Sequence, residues 1–326
     1  MKITILGSGA WGCSLAKLLE LGNHSITLWS NLPQQLTEIS QNHRNESCLP
    51  GIVLPSSLRV ETDIQLAITG SEIVVVAVPS KPFRDVTRVL KEFRGIVVSV
   101  TKGIEYDSGL TMSGILEENA PYSKIVALSG PTLALEVAQG IPTAIVAASK
   151  CPSSAQFVQQ LFHRPSFRVY TSSDILGVEL GGALKNVIAI AAGVSDGLGF
   201  GDNSKAALIT RGIVEIRRLG VACGAQTDTF AGLSGLGDLT VTCFSRLSRN
   251  RGLGERLGRR EKLTDIVASM VAVAEGVPTA RSAHQLALRH SIITPIINQV
   301  YSMLYEQTDV AQALHALLSR DSKAEA

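Results

Sequence analysis

The stretch KITILGSGAWGCSLAKLLEL, residues 2–21, decides how the rest of the chain is read. Its first five residues are β-branched or apolar, which predicts a strand. Its last nine carry leucine, alanine and serine at helical spacing, which predicts a helix. Between them stand Gly7, Gly9 and Gly12 in a G-x-G-x-x-G pattern. Three glycines alone are weak evidence, but a strand before and a helix after is the context in which such a turn binds a dinucleotide. Gly7 permits the tight turn, Gly9 lets the backbone approach a pyrophosphate at the helix N-terminus, and Gly12 lets helix and strand lie close.

Working outward, short apolar runs recur at 25–29, 72–78, 95–100, 124–128, 143–148 and 167–172. Helical candidates lie between them at 32–42, 82–92, 111–119, 131–138 and 153–163. The runs are apolar without alternation, as in strands covered on both faces, and strand–helix alternation predicts a largely parallel sheet. Near residue 173 the rhythm changes to long apolar-periodic segments at 174–195, 203–223, 252–257, 263–270, 278–289, 295–305 and 309–318, without strands. The expected fold is therefore an α/β Rossmann-type doubly wound sheet (residues 1–172) followed by an all-α C-terminal domain (173–326). The closing polar stretch, 319–326, is expected to fray.

Composition narrows the function. The net charge of +2 makes no case for nucleic acid. The five cysteines are scattered and odd in number, without a C-x-x-C pair, which fits a reduced, cytoplasmic protein better than a disulfide framework; no metal site is expected. The chain opens directly as a strand, with no secretory pattern, and no apolar run reaches the ~18 residues of a membrane helix.

The segment ELGGALKNVIAIAAG (179–193) holds a single lysine, Lys185, among small and apolar residues. On a helix its face would carry Val178, Gly181, Gly182, Ala189 and Ala192, leaving space for another helix packed very close or for something that is not protein, such as a substrate. The bland alternative is a lysine that snorkels past a tight helix crossing. Hydride transfer to a carbonyl needs a dinucleotide, a proton donor for the alkoxide and a substrate clamp. Lys185 suits the donor: burial lowers its pKa and a nearby carboxylate restores it. Further on, GLGDLTVTCFSRLSRNRGLGERLG (235–258) places Asp238 in a glycine-rich turn, able to orient the lysine. Ser248, Arg249 and Asn250 form a hydroxyl, guanidinium and amide suited to phosphate, although Arg246, Arg249 and Arg251 also read as a solvated basic loop.

Together with LPGIVLP (49–55), AVPS (77–80), TKGIE (101–105), SGPTLALEVAQGIPTA (129–144), the 183–212 run and AEGVPTA (274–280), these motifs resemble bacterial-type NAD(P)-dependent glycerol-3-phosphate dehydrogenase along nearly the whole chain. The resemblance implies reversible reduction of dihydroxyacetone phosphate to sn-glycerol 3-phosphate with NADH or NADPH, supplying the glycerol phosphate backbone of phospholipids. It implies Lys185 as proton donor and acceptor, and Lys102 between cofactor and substrate. Gly130, Thr132, Asp238, Ser248, Arg249 and Asn250 would be substrate contacts. Gly7, Gly9, Ala10, Trp11, Gly12, Asn31, Ala134, Arg249, Val273 and Glu275 would be cofactor contacts. Asn186, Lys205 and Thr242 are second members of the anion site, and a homodimer is the assembly left open. Asn31 stands where the family usually has Arg or His; it can neither neutralise nor repel a 2′-phosphate, so both cofactors should be accepted unless Arg44 in the 42–50 loop folds back to supply a charge. Two rival readings share the layout: a β-hydroxyacid dehydrogenase of the 6-phosphogluconate type, and a non-catalytic dinucleotide sensor.

Overall fold

The computed structural model describes residues 1–270 and 273–319. Eight strands form one sheet: β1 (Lys2–Leu6), β2 (Ser25–Trp29), β3 (Arg59–Glu61), β4 (Ile73–Val76), β5 (Ile96–Ser99), β6 (Lys124–Ser129), β7 (Thr143–Ala148) and β8 (Phe167–Ser172). Their order is β3-β2-β1-β4-β5-β6-β7-β8. Around them run α1 (Ala10–Glu20), α2 (Pro33–Asn42), α3 (Ile64–Ile68), α4 (Phe83–Thr87), α5 (Met112–Asn119), α6 (Ala134–Ala138) and α7 (Pro152–Phe162). β1 is parallel to both neighbours, with Ile3 opposite Ile26 on one side and Ile73 on the other. The strand order reverses there, so the crevice above the carboxyl ends of β1 and β4 is the topological switch point.

The sheet is not parallel throughout: β7 runs antiparallel to β6, and β8 is parallel to β7. The cause is the connection. A crossover must travel back along about 20 Å of strand, whereas the five residues of α6 span only about 7.5 Å. α6 instead stays at the carboxyl end, where the Ser14 hydroxyl donates to the Ala134 carbonyl at 2.7 Å, and β7 starts from that end. Strand β3 and helix α3 were not expected from the sequence pattern.

After β8 the described chain is helical: α8 (Ile175–Gly197), α9 (Asp202–Ala222), α10 (Asp238–Phe244), α11 (Arg249–Gly258), α12 (Leu263–Ala268), α13 (Gly276–Arg289), α14 (Pro295–Tyr305) and α15 (Val310–Leu318). Residues 320–326, most of the tail expected to fray, lie outside the described residues. The 23-residue α8 is the axis of this half. By length and composition it could cross a membrane, contrary to the sequence reading, but 94% of its most apolar window is buried inside the protein. The Asp174 carboxylate caps it, accepting from the Gly177 amide at 2.9 Å and from the Thr229 hydroxyl at 2.6 Å. α11 lies unusually close to α8: a Cβ on Gly193 would sit 2.0 Å from the Arg251 carbonyl oxygen, and one on Gly254 2.0 Å from that of Ile190.

Candidate active site

At the switch point the chain leaves β1 through Gly7, whose φ of +122° is a conformation that L side chains rarely adopt. A Cβ on Gly12 would lie 1.9 Å from the Gly7 carbonyl oxygen, so the start of α1 touches the turn. Gly9 caps α1 with no side chain on the helix N-terminus, and a Cβ there would meet no atom within 4 Å. That open, positively polarised end fits the pyrophosphate of a dinucleotide. Ala10 and Trp11 form the first turn of α1 and pack partly into the core, and Ala134 opens α6 against α1. Asn31 is exposed beyond β2. The 42–50 loop does fold back, but through Asn45, which donates to the Ser8 carbonyl at 2.7 Å; Arg44 pairs with Glu46 at 2.8 Å.

The chemical centre is one carboxylate between two lysines. Asp238 is fully buried. Its Oδ1 accepts from Lys185 Nζ, and its Oδ2 from Lys102 Nζ at 2.6 Å. Lys185 Nζ also donates to Thr242 Oγ1 at 2.6 Å, and Thr242 Oγ1 to the Asp238 carbonyl, also at 2.6 Å. Lys102 Nζ reaches the Gly130 carbonyl at 3.0 Å, which accepts as well from Thr132 Oγ1 at 3.1 Å. Burial pulls the pKa of Lys185 down to about 8, Asp238 opposes the fall, and Lys102 adds to it. A lysine so balanced can hold a proton at neutral pH and give it up readily.

Two expectations about this centre need correcting. Asp238 does not lie in a glycine-rich turn; Leu233–Gly237 make a π turn and Asp238 is the first residue of α10, so Asp238 and Thr242 share a helix face. The small-residue face of α8 is not left open either. A Cβ on Gly181 would lie 2.6 Å from the Ser234 carbonyl oxygen, and one on Gly182 2.5 Å from Ser129 Oγ and near the stem of Lys102. The glycines admit protein: the π turn that presents Asp238 and the lysine that shares it.

The SRNR segment is split in role. Ser248 caps α11, accepting from the Arg251 amide at 3.2 Å. Asn250 is buried, donates to Asn186 Oδ1 at 2.8 Å and accepts from the Gly276 amide at 2.9 Å. Arg249 is exposed, close enough to lower the pKa of Glu275 against the rise that burial imposes. Glu275 holds the AVPS loop, accepting from the Ser80 amide at 3.0 Å and its hydroxyl at 2.5 Å, while Val273 is exposed. Lys205 is not gathered into the Lys185 cluster: it pairs with Asp196 at 2.7 Å, 5.1 Å from the Phe244 ring centroid. Asp196 also pairs with Arg251 at 2.6 Å, so one largely covered carboxylate ties α8, α9 and α11. Sequence reasoning gave no role to Ser80, Asp196 or Asn45. Asp196 had a readable signal, since it lies on the Lys185 face three turns further along the helix.

Comparison with known proteins agrees with this layout. Residues 2–155 match the family model described as NAD-dependent glycerol-3-phosphate dehydrogenase N-terminus, and residues 174–315 match that of the C-terminus. A glycerol-3-phosphate dehydrogenase (NAD(P)+) of Citrifermentans bemidjiense is 47% identical over 99% of this chain and 98% of its own length. That of Chlorobium phaeobacteroides is 45% identical over 100% and 99%. The crystal structure of glycerol-3-phosphate dehydrogenase from Coxiella burnetii superposes with a TM-score of 0.94 at 35% identity, covering 98% of this chain and 99% of that one. A strand-turn-helix built for a pyrophosphate, a carboxylate shared by two lysines, and relatives matching end to end lead to one conclusion: this chain belongs to the NAD-dependent glycerol-3-phosphate dehydrogenase family.

Proposed function

We propose that the protein reduces dihydroxyacetone phosphate reversibly to sn-glycerol 3-phosphate with NADH or NADPH. Residues 1–172 would bind the dinucleotide and 173–326 would supply most of the substrate site. The observation that carries the reading is the Lys185–Asp238–Lys102 bridge, which brings a proton donor from the helical half against a lysine at the carboxyl end of β5. A bound nicotinamide dinucleotide supplies the hydride. Lys185 then gives its proton to the oxygen of the reduced carbonyl and takes it back in the reverse reaction, and Asp238 keeps its ammonium aimed. Lys102 holds substrate against cofactor. Gly130 and Thr132 border the substrate, and Arg249 clamps its phosphate at the start of α11, with Ser248, Asn250 and Asn186 shaping that end of the site and Thr242 beside Lys185. Gly7, Gly9, Ala10, Trp11, Gly12, Asn31, Ala134, Val273 and Glu275 complete the dinucleotide site.

The product would feed phospholipid synthesis in the cytoplasm, and a homodimer is the assembly to test by light scattering. The 6-phosphogluconate-type and sensor readings are not favoured, because both halves match a single dehydrogenase family. The direct experiment is oxidation of NADH and NADPH with dihydroxyacetone phosphate, with 6-phosphogluconate and NADP+ as the contrasting assay. Absence of turnover on dihydroxyacetone phosphate by folded protein would sink the proposal.

A further inference from the structure

The residue that ends β2 does not settle which dinucleotide fits, because Asn31 is uncharged and exposed. A charged pair instead sits in the loop that folds back onto the glycine turn. Ser8, between the first two glycines, is held from two sides: its hydroxyl donates to Gln35 Oε1 on α2 at 2.8 Å, and its carbonyl accepts from Asn45 at 2.7 Å. Asn45 is buried and its neighbours in sequence are Arg44 and Glu46. Their side chains pair at 2.8 Å, and the second Glu46 oxygen accepts from the Gly51 amide at 2.9 Å, so the carboxylate is fixed at both ends. A second carboxylate joins from α2, where Glu38 Oε1 accepts from the Glu46 amide at 3.1 Å. The charged side chains joined by these contacts are therefore two carboxylates and one guanidinium. The Glu46 carboxyl is held below its ordinary range, chiefly by the hydrogen bond from Arg44, so it is ionised at neutral pH.

We propose that Glu46 is a specificity-determining residue for the dinucleotide: it occupies Arg44 and, with Glu38, leaves the adenosine end of the cleft net acidic, so that NADH is taken in preference to NADPH. The inference rests on the dinucleotide site proposed above. It reverses the part first assigned to Arg44, which is the loop's cation but is already paired. A carboxylate near a ribose normally comes from the end of β2; here the loop after α2 would supply the same repulsion of a 2′-phosphate bearing nearly two negative charges. The ion pair is half-exposed, so its release acts modestly, by a factor of about three to ten.

The test separates binding from turnover. Isothermal titration with ADP-ribose and with 2′-phospho-ADP-ribose, neither of which carries a nicotinamide, is run on wild type, Glu46→Gln and Arg44→Ala. The ratio of catalytic efficiencies with NADH and NADPH is measured beside it. Wild type should bind ADP-ribose about tenfold more tightly than the 2′-phosphorylated probe. Glu46→Gln should tighten only the phosphorylated probe, by about three- to tenfold, and Arg44→Ala should weaken only that probe. An unchanged probe ratio in Glu46→Gln, or a wild type that prefers the 2′-phosphorylated probe, overturns the assignment. Failure of both probes to bind would instead overturn the dinucleotide site itself, whereas normal probe binding without turnover of dihydroxyacetone phosphate would strike only at the proposed reaction.

Discussion

Replacing Asp238 by asparagine removes one charge and keeps nearly the same shape. In the native site each carboxylate oxygen accepts from one lysine, Lys185 on Oδ1 and Lys102 on Oδ2, and no solvent reaches either oxygen. The amide can accept from only one of them and must turn its NH2 group toward the other ammonium. Each charge-assisted bond contributes about 1.5–3 kcal/mol, and removing one member of a buried ion pair typically costs about 3–5 kcal/mol. The effect on Lys185 has a definite sign. Burial and Lys102 lower its pKa and Asp238 raises it, with the balance at about 8. Without Asp238 only the lowering influences remain, so the pKa falls below 8. Reduction consumes protonated Lys185; its rate should fall as pH rises through about 8 in wild type, and at lower pH in Asp238→Asn. Oxidation needs the neutral amine and should rise through the same pH. Stability follows linkage: a lysine with a depressed folded pKa contributes stability that is fully present above the unfolded value of about 10.4. That contribution is lost as pH falls through about 8 in wild type and through a lower pH in the variant. The assay is the pH dependence of turnover in both directions between pH 6 and about 10, with NADH binding by fluorescence as a control. We expect a loss of about a hundred- to ten-thousand-fold in kcat/KM. An Asp238→Asn enzyme with turnover within about threefold of wild type and an unmoved alkaline limb would refute the reasoning.

Lys185→Ala should remove turnover by about a hundred- to ten-thousand-fold while leaving NADH binding, read by fluorescence, nearly unchanged; near-normal turnover would remove Lys185 from the proton path. Arg249→Ala should raise KM for dihydroxyacetone phosphate by roughly ten- to a hundredfold, the equivalent of one charge-assisted contact, and an unchanged KM would return this exposed arginine to the solvated-loop reading. Asp196→Asn leaves Lys205 without its carboxylate partner and Arg251 with only Glu255, at 3.4 Å. It should lower unfolding free energy by about 3–5 kcal/mol in denaturant titration, whereas Arg259→Ala, at a pair whose arginine side chain is 61% exposed, should change it by less than about 1 kcal/mol.

The parts of the fold that could be read from the sequence are those whose cause is local. The β1–turn–α1 unit is legible because strand, glycines and helix adjoin, and the long apolar periodicity of α8 survives its all-round burial. β3 was not legible: it is three residues at the edge of the sheet with no apolar run. Nor was the start of α10, because GLG before Asp238 reads as a turn. Those glycines instead serve a crowded π turn, where a Cβ on Gly235 would lie 2.1 Å from the Phe230 carbonyl oxygen. The reversal of β7 depends on the length of α6 and its seat on α1, which no local pattern carries. In the site, Lys185 announced itself as a lone cation among small residues. The pairing of Asp196 with Arg251 did not, because it joins positions on two helices that only tertiary packing brings together.

The way the site is assembled explains why its lysines come from different halves of the chain. Lys185 on α8 meets Asp238 on α10 within the helical half, but Lys102 follows β5, so it cannot reach Asp238 until the sheet and the helices are docked. Three further contacts fasten the same junction: Glu275 on Ser80, Glu179 on the Ser113 amide at 2.9 Å, and the Ser282 hydroxyl on the Ile104 carbonyl at 2.9 Å. The two carboxylates among them, Glu179 and Glu275, have their pKa raised by burial and are held through the hydrogen bonds they accept. Buried charges of this kind add little net stability over apolar packing, but they are costly to misplace, because a misregistered interface leaves them unpaired. Their effect at this junction is to make one docking geometry much better than its neighbours. That geometry is the one that places a proton donor from the helices beside the carboxyl ends of the strands, where the glycine turn waits for a dinucleotide.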